Sequence, residues 1–166
     1  MPNPRVQKHF LEKLAELLPG VRGYQDRESM RETDRRLREY LARRLDEGWR
    51  GLDDVRRAAV AASDLGPLDV VSRLDRSLQK IVATLSYSEA GYSGLFDSVK
   101  IGERELERVL AYDEALLAEV QAVADDVRAA AAHDPERPLL EALERRATEL
   151  DERVARRKEL FDAPTA

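Results

Sequence analysis

The sequence predicts an all-α fold: an antiparallel four-helix bundle of long heptad-patterned helices, preceded by a short N-terminal amphipathic helix. Three observations support this prediction. Apolar residues recur in alternating steps of three and four, aromatic residues make up only 5% of the chain, and charged residues make up 37%. Apolar residues every 3.5 positions form one seam along a helix, and that seam is buried against other helices. We therefore expect a core of leucine, valine and alanine between helices with solvated outer faces.

The first helix is predicted at residues 5–18. Proline and glycine follow it at Pro19 and Gly20, and they end a helix because proline lacks an amide donor and glycine frees the backbone. We expect this amphipathic helix, residues 1–20, to be separate from a bundle domain at residues 21–166. Its apolar face includes Phe10, Leu11, Leu14 and Leu17.

The second helix is predicted at residues 26–64. Its apolar seam contains an aspartate, Asp34, and becomes irregular around Gly48 and Gly51. Each glycine costs a helix about 1 kcal/mol relative to alanine. We therefore expect a bend at this point or an unusually close contact with another helix.

Three further helices are predicted at residues 67–86, 103–133 and 135–161. Pro67 and Pro135 suit the first turn of a helix, where a missing amide donor costs nothing. Helices joined by short connections are usually antiparallel neighbours. Their heptad positions are regular along the chain (Val71, Leu74, Leu78, Ile81, Leu85; Leu106, Leu110, Asp113, Leu117, Val120, Ala124, Val127; Leu140, Leu143, Ala147, Leu150, Val154, Arg157).

Two carboxylates, Asp34 and Asp113, occupy seam positions that are normally apolar. They could be buried acids with a raised pKa that perform acid–base chemistry. They could instead pair with arginines or set the register of the helices, which we favour because arginine is abundant. If Asp113 only sets the register, Asp113→Leu should leave the fold intact, whereas a large loss of stability would indicate a committed buried pair.

Composition argues against several classes of function. The net charge of -5 is the opposite of what a general nucleic-acid binder shows. There is no cysteine, and neither His9 nor His133 has a metal-ligand partner at helical spacing. We therefore expect no catalysis, no metal and no cofactor. A cytoplasmic location is expected because no apolar run approaches the length of a membrane span.

Two segments are candidates for interaction with partners. Residues 86–101 lack a helical period, and long irregular connections in compact domains are often functional. We expect its large apolar side chains, Tyr87, Tyr92, Leu95 and Phe96, to cover either the end of the bundle or a partner. A row of arginines, Arg27, Arg31, Arg35 and Arg38, lies on one face of the second helix. It could bind phosphates or anionic lipid, but nearby glutamates favour internal pairing.

Two stretches of the sequence resemble a group of uncharacterised bacterial helical proteins. They are Gly23-Tyr-Gln-Asp-Arg-Glu-Ser-Met-Arg-Glu-Thr-Asp-Arg-Arg-Leu-Arg and Gly91-Tyr-Ser-Gly-Leu-Phe-Asp-Ser-Val-Lys-Ile. The resemblance runs from about residue 10 to 130 and implies no activity and no catalytic residues. The plan of a short amphipathic helix before long charged helices is also similar to that of phage shock protein A and other membrane-remodelling coiled-coil proteins.

These observations predict a non-enzymatic, cytoplasmic helical-bundle protein that acts by binding another protein or itself. The alternative is a peripheral membrane adaptor that binds anionic lipid through the first helix. In that case Phe10, Leu11, Leu14 and Leu17 would lie in the interface between lipid and water. Packing of this helix on the bundle would weaken the membrane alternative.

Overall fold

The computed structural model describes residues 4–20, 27–87, 103–133 and 136–162, and the side chains of residues 9–20, 31–87, 108–133 and 136–157. The described residues form helices and no strand, so the predicted all-α class is confirmed. The helices are α1 (Pro4–Leu17), α2 (Arg27–Trp49), α3 (Leu52–Ala61), α4 (Leu68–Tyr87), α5 (Glu103–Ala132) and α6 (Arg137–Asp162).

The four long helices contact one another in the cyclic order α2, α4, α6, α5. Apolar side chains from all four meet in one core, and they include most of the predicted seam residues. The side chains of Phe10, Leu14 and Leu18 join the same core from α1, which packs mainly against α5. Burying each of these side chains stabilises the folded chain by about 1.5–3 kcal/mol, so α1 contributes to the same core as the long helices.

Contacts between helices show which neighbours run in the same direction. Arg73–Glu144 and Lys80–Asp151 join α4 to α6 with the same separation of 71 residues, so these helices are parallel. The α2–α5 contacts Arg44–Asp125 and Tyr40–Gln121 share a separation of 81 residues, so this pair is parallel as well.

The other two sides of the ring are antiparallel. Between α5 and α6, Arg146 contacts Asp126 whereas Arg153 contacts Glu119. Between α2 and α4, Arg38 contacts Leu85 whereas Trp49 contacts Asp75, so the order of the contacts is likewise reversed. The expected antiparallel neighbours therefore occur on two sides only. The expectation for α4 and α5 rested on a short connection, but residues 88–102 separate them, and the main contacts of α4 are with α2, α3 and α6.

The single helix predicted at residues 26–64 is divided into α2 and α3 at Arg50 and Gly51. Gly48 lies so close to α5 that a Cβ atom there would be 2.9 Å from the Ala124 carbonyl oxygen. A Cβ atom on Gly51 would be 2.7 Å from the Ala131 Cβ atom. The close contact expected as an alternative to a bend is thus present, and the helix is interrupted at this point.

Candidate functional site

Charged side chains form a cluster inside the core, where α2, α5 and α6 meet. Asp34, Arg38, Asp113 and Arg157 are all buried, with at most 6% of any of these residues exposed. The Arg157 guanidinium donates from Nε and Nη2 to the two carboxylate oxygens of Asp113, at 2.6 and 2.8 Å. It also donates from Nη2 to Asp34 at 2.7 Å. Arg157 therefore bridges two carboxylates on two other helices.

The second arginine completes the cluster from within α2. Arg38 Nε donates to the other Asp34 oxygen at 3.0 Å, and Arg38 Nη1 donates to the carbonyl oxygen of Leu85 at 3.2 Å. The cluster therefore ties α4 to the other three long helices. Its two arginines and two aspartates balance in charge, which is the condition under which buried ions are tolerated.

The environment of Asp113 has opposing effects on its acidity. Burial raises the pKa of the Asp113 carboxyl, whereas the charge and the hydrogen bonds of Arg157 lower it. Only 1% of Asp113 and 3% of Asp34 are exposed. Both carboxylates are thus buried and held by arginine, as expected for a structural ion pair between helices.

Asp34 and Asp113 were predicted as charged residues in apolar seams, but Arg157 was not predicted as their partner. The signal was present, because Arg157 occupies a heptad position in α6 just as Asp113 does in α5. Three charged residues in seam positions, two acidic and one basic, predict a buried ionic contact between helices. Arg38 carries no comparable signal, since it lies beside the seam residue Leu37.

A second feature is the concentration of exposed apolar side chains at the ends of helices. The large apolar residues exposed in the described part of the chain are Val60, Leu65, Tyr87 and Leu139. Arg137 donates to the Gly66 carbonyl oxygen at 2.5 Å and pairs with Asp69, which brings the α3–α4 turn beside the start of α6. Leu65 and Leu139 therefore lie at the same end of the molecule, which we call the turn end.

The turn end also contains a groove of about 550 Å³ between α5 and α6, which we call the α5–α6 groove. Its floor is formed by the buried side chains of Ala130 and Leu143, and Leu139 stands on its rim with 48% of its surface exposed. The small side chains of Ala129 and Ala142 also line the groove.

Charged and polar side chains line the two ends of the α5–α6 groove. Asp126 and Arg146 form an ion pair across one end. His133 and Glu136 line the other end, where Glu136 has no ion pair with any described residue. The groove therefore has an apolar floor, a paired arginine at one end and an available carboxylate at the other.

The predicted arginine row is largely occupied by internal contacts. Arg35 is exposed but pairs with Glu32 at 2.9 Å and with Glu39 at 3.0 Å, and Arg31 is exposed and also interacts within the chain. Arg27 begins α2, and its side chain lies outside the described residues. The pairing of Arg35 agrees with the favoured interpretation of a solvated row. Arg38 does not, because it is buried and bonded to Asp34 in the core.

Of the irregular connection predicted at residues 86–101, only the first two residues lie in the part of the chain that the structure describes. Tyr87 ends α4 with 83% of its surface exposed. It lies two residues beyond the Leu85 carbonyl that Arg38 contacts, at the end of α4 opposite the turn end. Tyr92, Leu95 and Phe96 lie outside the described residues.

The proposed membrane-contact residues lie against the bundle. Phe10 and Leu14 are buried, and Leu11 and Leu17 are partly buried against the core. Arg36 Nη1 donates to the Pro19 carbonyl oxygen at 2.7 Å, which fixes the end of α1 on α2. Contact of these four residues with lipid would require α1 to leave this position.

Within the described ranges, no three histidine, aspartate or glutamate side chains are grouped as a metal site would require. The helices built from those residues include none with both the length and the apolar character needed to cross a bilayer. No protein-family model, curated protein or solved structure matches the chain. The resemblance noted from the sequence therefore stays a prediction, and the functional argument depends on the site itself.

Proposed function

We propose that this chain is a non-enzymatic protein that acts by binding another protein or a second copy of itself. In this proposal the four long helices form a single bundle that holds binding surfaces at its ends. The observation that carries it is the position of Val60, Leu65, Tyr87 and Leu139, each in a turn or within one turn of a helix end. Large apolar groups in contact with water are typical of surfaces that another molecule covers.

The sides of the bundle are less suited to this role, because ion pairs between helices occupy them. Arg44 pairs with Asp125 across α2 and α5, while Arg73 pairs with Glu144 across α4 and α6. Such exposed pairs contribute little to stability, typically below about 1 kcal/mol each. They do leave the sides charged and already paired, so apolar contact with a partner is available mainly at the ends.

The buried cluster supports the role of a scaffold. Arg157 contacts both Asp34 and Asp113 only if α2, α5 and α6 keep one register, because moving one helix by a turn separates the charges by about 5 Å. A single register keeps the surfaces at the bundle ends in a fixed relation. The buried charges therefore make the register of the helices specific rather than making the fold more stable.

The proposal is tested by capture with the full-length tagged chain from the source cells, followed by binding measurements with each purified candidate partner. Leu65→Ser/Leu139→Ser should weaken binding of a turn-end partner. Ala115→Ser/Ala118→Ser, which changes two exposed residues on the side of α5, is the matched control and should bind as the wild type does. Equal binding by all three proteins would contradict an interface at the turn end.

The connection after α4 is the second proposed surface. Replacing Tyr92, Leu95 and Phe96 with serine should change the melting temperature by only a few degrees and abolish association with a partner or with itself. The reason is that the heptad seams predicted from the sequence do not include these residues. Unfolding or precipitation of the triple variant would instead show that they belong to the core. Arg27, Arg31 and Arg35 are proposed as a flanking polar contact of the same surface.

The membrane alternative has less support, because Phe10 and Leu14 lie in the core. Its test is flotation with anionic vesicles, using the full chain and a chain without residues 1–20. Vesicle binding by the full chain alone would favour the alternative over protein binding. The absence of vesicle binding by both chains would remove it.

A further inference from the structure

The α5–α6 groove combines a recess and a projecting side chain on one surface. Leu139 projects from the rim, and the recess beside it has Leu143 and Ala130 as its floor. Two identical molecules related by a two-fold axis present the same patch to each other, so a patch that binds itself must contain both a knob and a hole. The groove meets this condition.

On this side of the groove, Glu136 directly precedes α6, and Leu139, Ala142, Leu143 and Arg146 lie in α6. All of these residues except Ala142 are arranged symmetrically along the chain. Glu136, Leu139, Leu143 and Arg146 follow one another in steps of three, four and three. This order is the same in both directions along α6. When two copies of α6 lie antiparallel, each Leu139 faces the Leu143 of the other copy, and each Glu136 faces the other copy's Arg146.

Charge complementarity follows from this arrangement. Glu136 has no ion pair among the described residues, whereas Arg146 pairs with Asp126 through one of its amino groups. A guanidinium has five donors, so Arg146 can keep its pair with Asp126 and also donate to a second carboxylate. Two symmetric Glu136–Arg146 pairs would then close both ends of the apolar contact.

We propose that a second copy of this chain occupies the α5–α6 groove, with the two α6 helices antiparallel across a two-fold axis. The inference rests on the proposed function, for which it supplies one partner. The residues from Glu136 to Arg146 span about 15 Å of helix. This length is short for a permanent interface, so the dimer forms reversibly and depends on protein concentration.

Sedimentation velocity of the full-length chain over a range of concentrations tests the proposal. The wild type should shift from monomer towards dimer as its concentration rises. Leu139→Glu should weaken dimerisation by roughly tenfold or more, because it places a carboxylate in the apolar centre of the contact. A wild type that stays monomeric at the highest concentration reached would overturn the inference.

A charge exchange tests the register. Glu136→Arg and Arg146→Glu should each weaken their own homodimer, because like charges then face each other. A mixture of the two variants should form a heterodimer, because both cross-contacts become attractive again. Failure of the mixture to associate, while the wild type does, would overturn the antiparallel register.

Matched controls separate these effects from changes in folding or total charge. Arg145→Glu and Glu149→Arg alter charge at exposed positions of α6 outside the groove, and they should dimerise as the wild type does. Circular dichroism of every variant should show the same helix content and a melting temperature within a few degrees. If the wild type associates and all groove variants associate equally well, the groove assignment is wrong while self-association, and with it the proposed function, stands.

Discussion

Removing Arg157 should destabilise the protein more than removing a typical surface arginine would. In the variant Arg157→Met, Asp113 loses both of its hydrogen bonds to that guanidinium, and Asp34 keeps Arg38 alone. The charges of the cluster then sum to -1 in a site that water does not reach. Breaking a buried pair in this way costs about 3–5 kcal/mol. A change of 1 kcal/mol shifts the melting temperature of a chain of this size by roughly 2–4 °C, so the expected drop is about 6–20 °C.

The double variant Asp113→Leu/Arg157→Met distinguishes a buried pair from simple loss of packing. Asp113→Leu alone leaves a surplus positive charge and should also cost about 3–5 kcal/mol. The double variant leaves the Asp34–Arg38 pair and no surplus charge. It should therefore be more stable than either single variant, with a coupling energy of about 3 kcal/mol.

The assay is urea and thermal unfolding followed by circular dichroism. The control is Arg156→Met, the same substitution at an exposed neighbour that forms an ion pair with Glu152, which should cost less than about 1 kcal/mol. Effects of the two single variants that add within about 0.5 kcal/mol would refute the reasoning. They would mean that Asp113 and Arg157 contribute independently, as packing groups.

Two further predictions concern the α2–α5 contact and the turn end. Gly48→Ala should lower the free energy of unfolding in urea by about 1–2 kcal/mol, because overpacking costs about 1–3 kcal/mol and the higher helix propensity of alanine offsets part of that cost. The control, Gly66→Ala on an exposed turn, should cost less. Equal stability of Gly48→Ala and the wild type would contradict the close contact. Arg137 and Arg73 lower the pKa of Asp69 to about 2. The ionised carboxylate therefore stabilises the folded chain at every pH above the ordinary pKa of aspartate, and this contribution is lost as the pH falls through about 2. A carboxyl titration by NMR should find that midpoint in the wild type and a higher one in Arg137→Gln, whereas an ordinary midpoint in the wild type would contradict the pairing.

The sequence predicts the helices well because apolar periodicity is a local property. The predicted boundaries of α1, α4, α5 and α6 agree with the structure to within one or two residues. The division between α2 and α3 is different, because it depends on the approach of Gly48 to Ala124, which lies on another helix. The two glycines indicated a bend or a close contact at this point, but the sequence could not indicate which helix is contacted.

The candidate sites could be predicted only in part. Asp34 and Asp113 were visible as charges in apolar seams, but the bridge from Arg157 to Asp34 joins residues 123 positions apart. The parallel pairing of α2 with α5 and of α4 with α6 is likewise a property of chain topology. The α5–α6 groove could not be predicted, because it depends on how Ala129 of α5 and Ala142 of α6 are placed relative to each other.

Hydrogen exchange measured on the full-length wild type at low and at high concentration tests the central claim most directly. If the bundle ends carry the binding surfaces, exchange at high concentration should slow in the peptides that cover the α3–α4 turn and residues 133–146. Exchange along the middle of α2 and α4 should stay unchanged. Protection along the middle of those helices, with the turn end unaffected, would contradict the account.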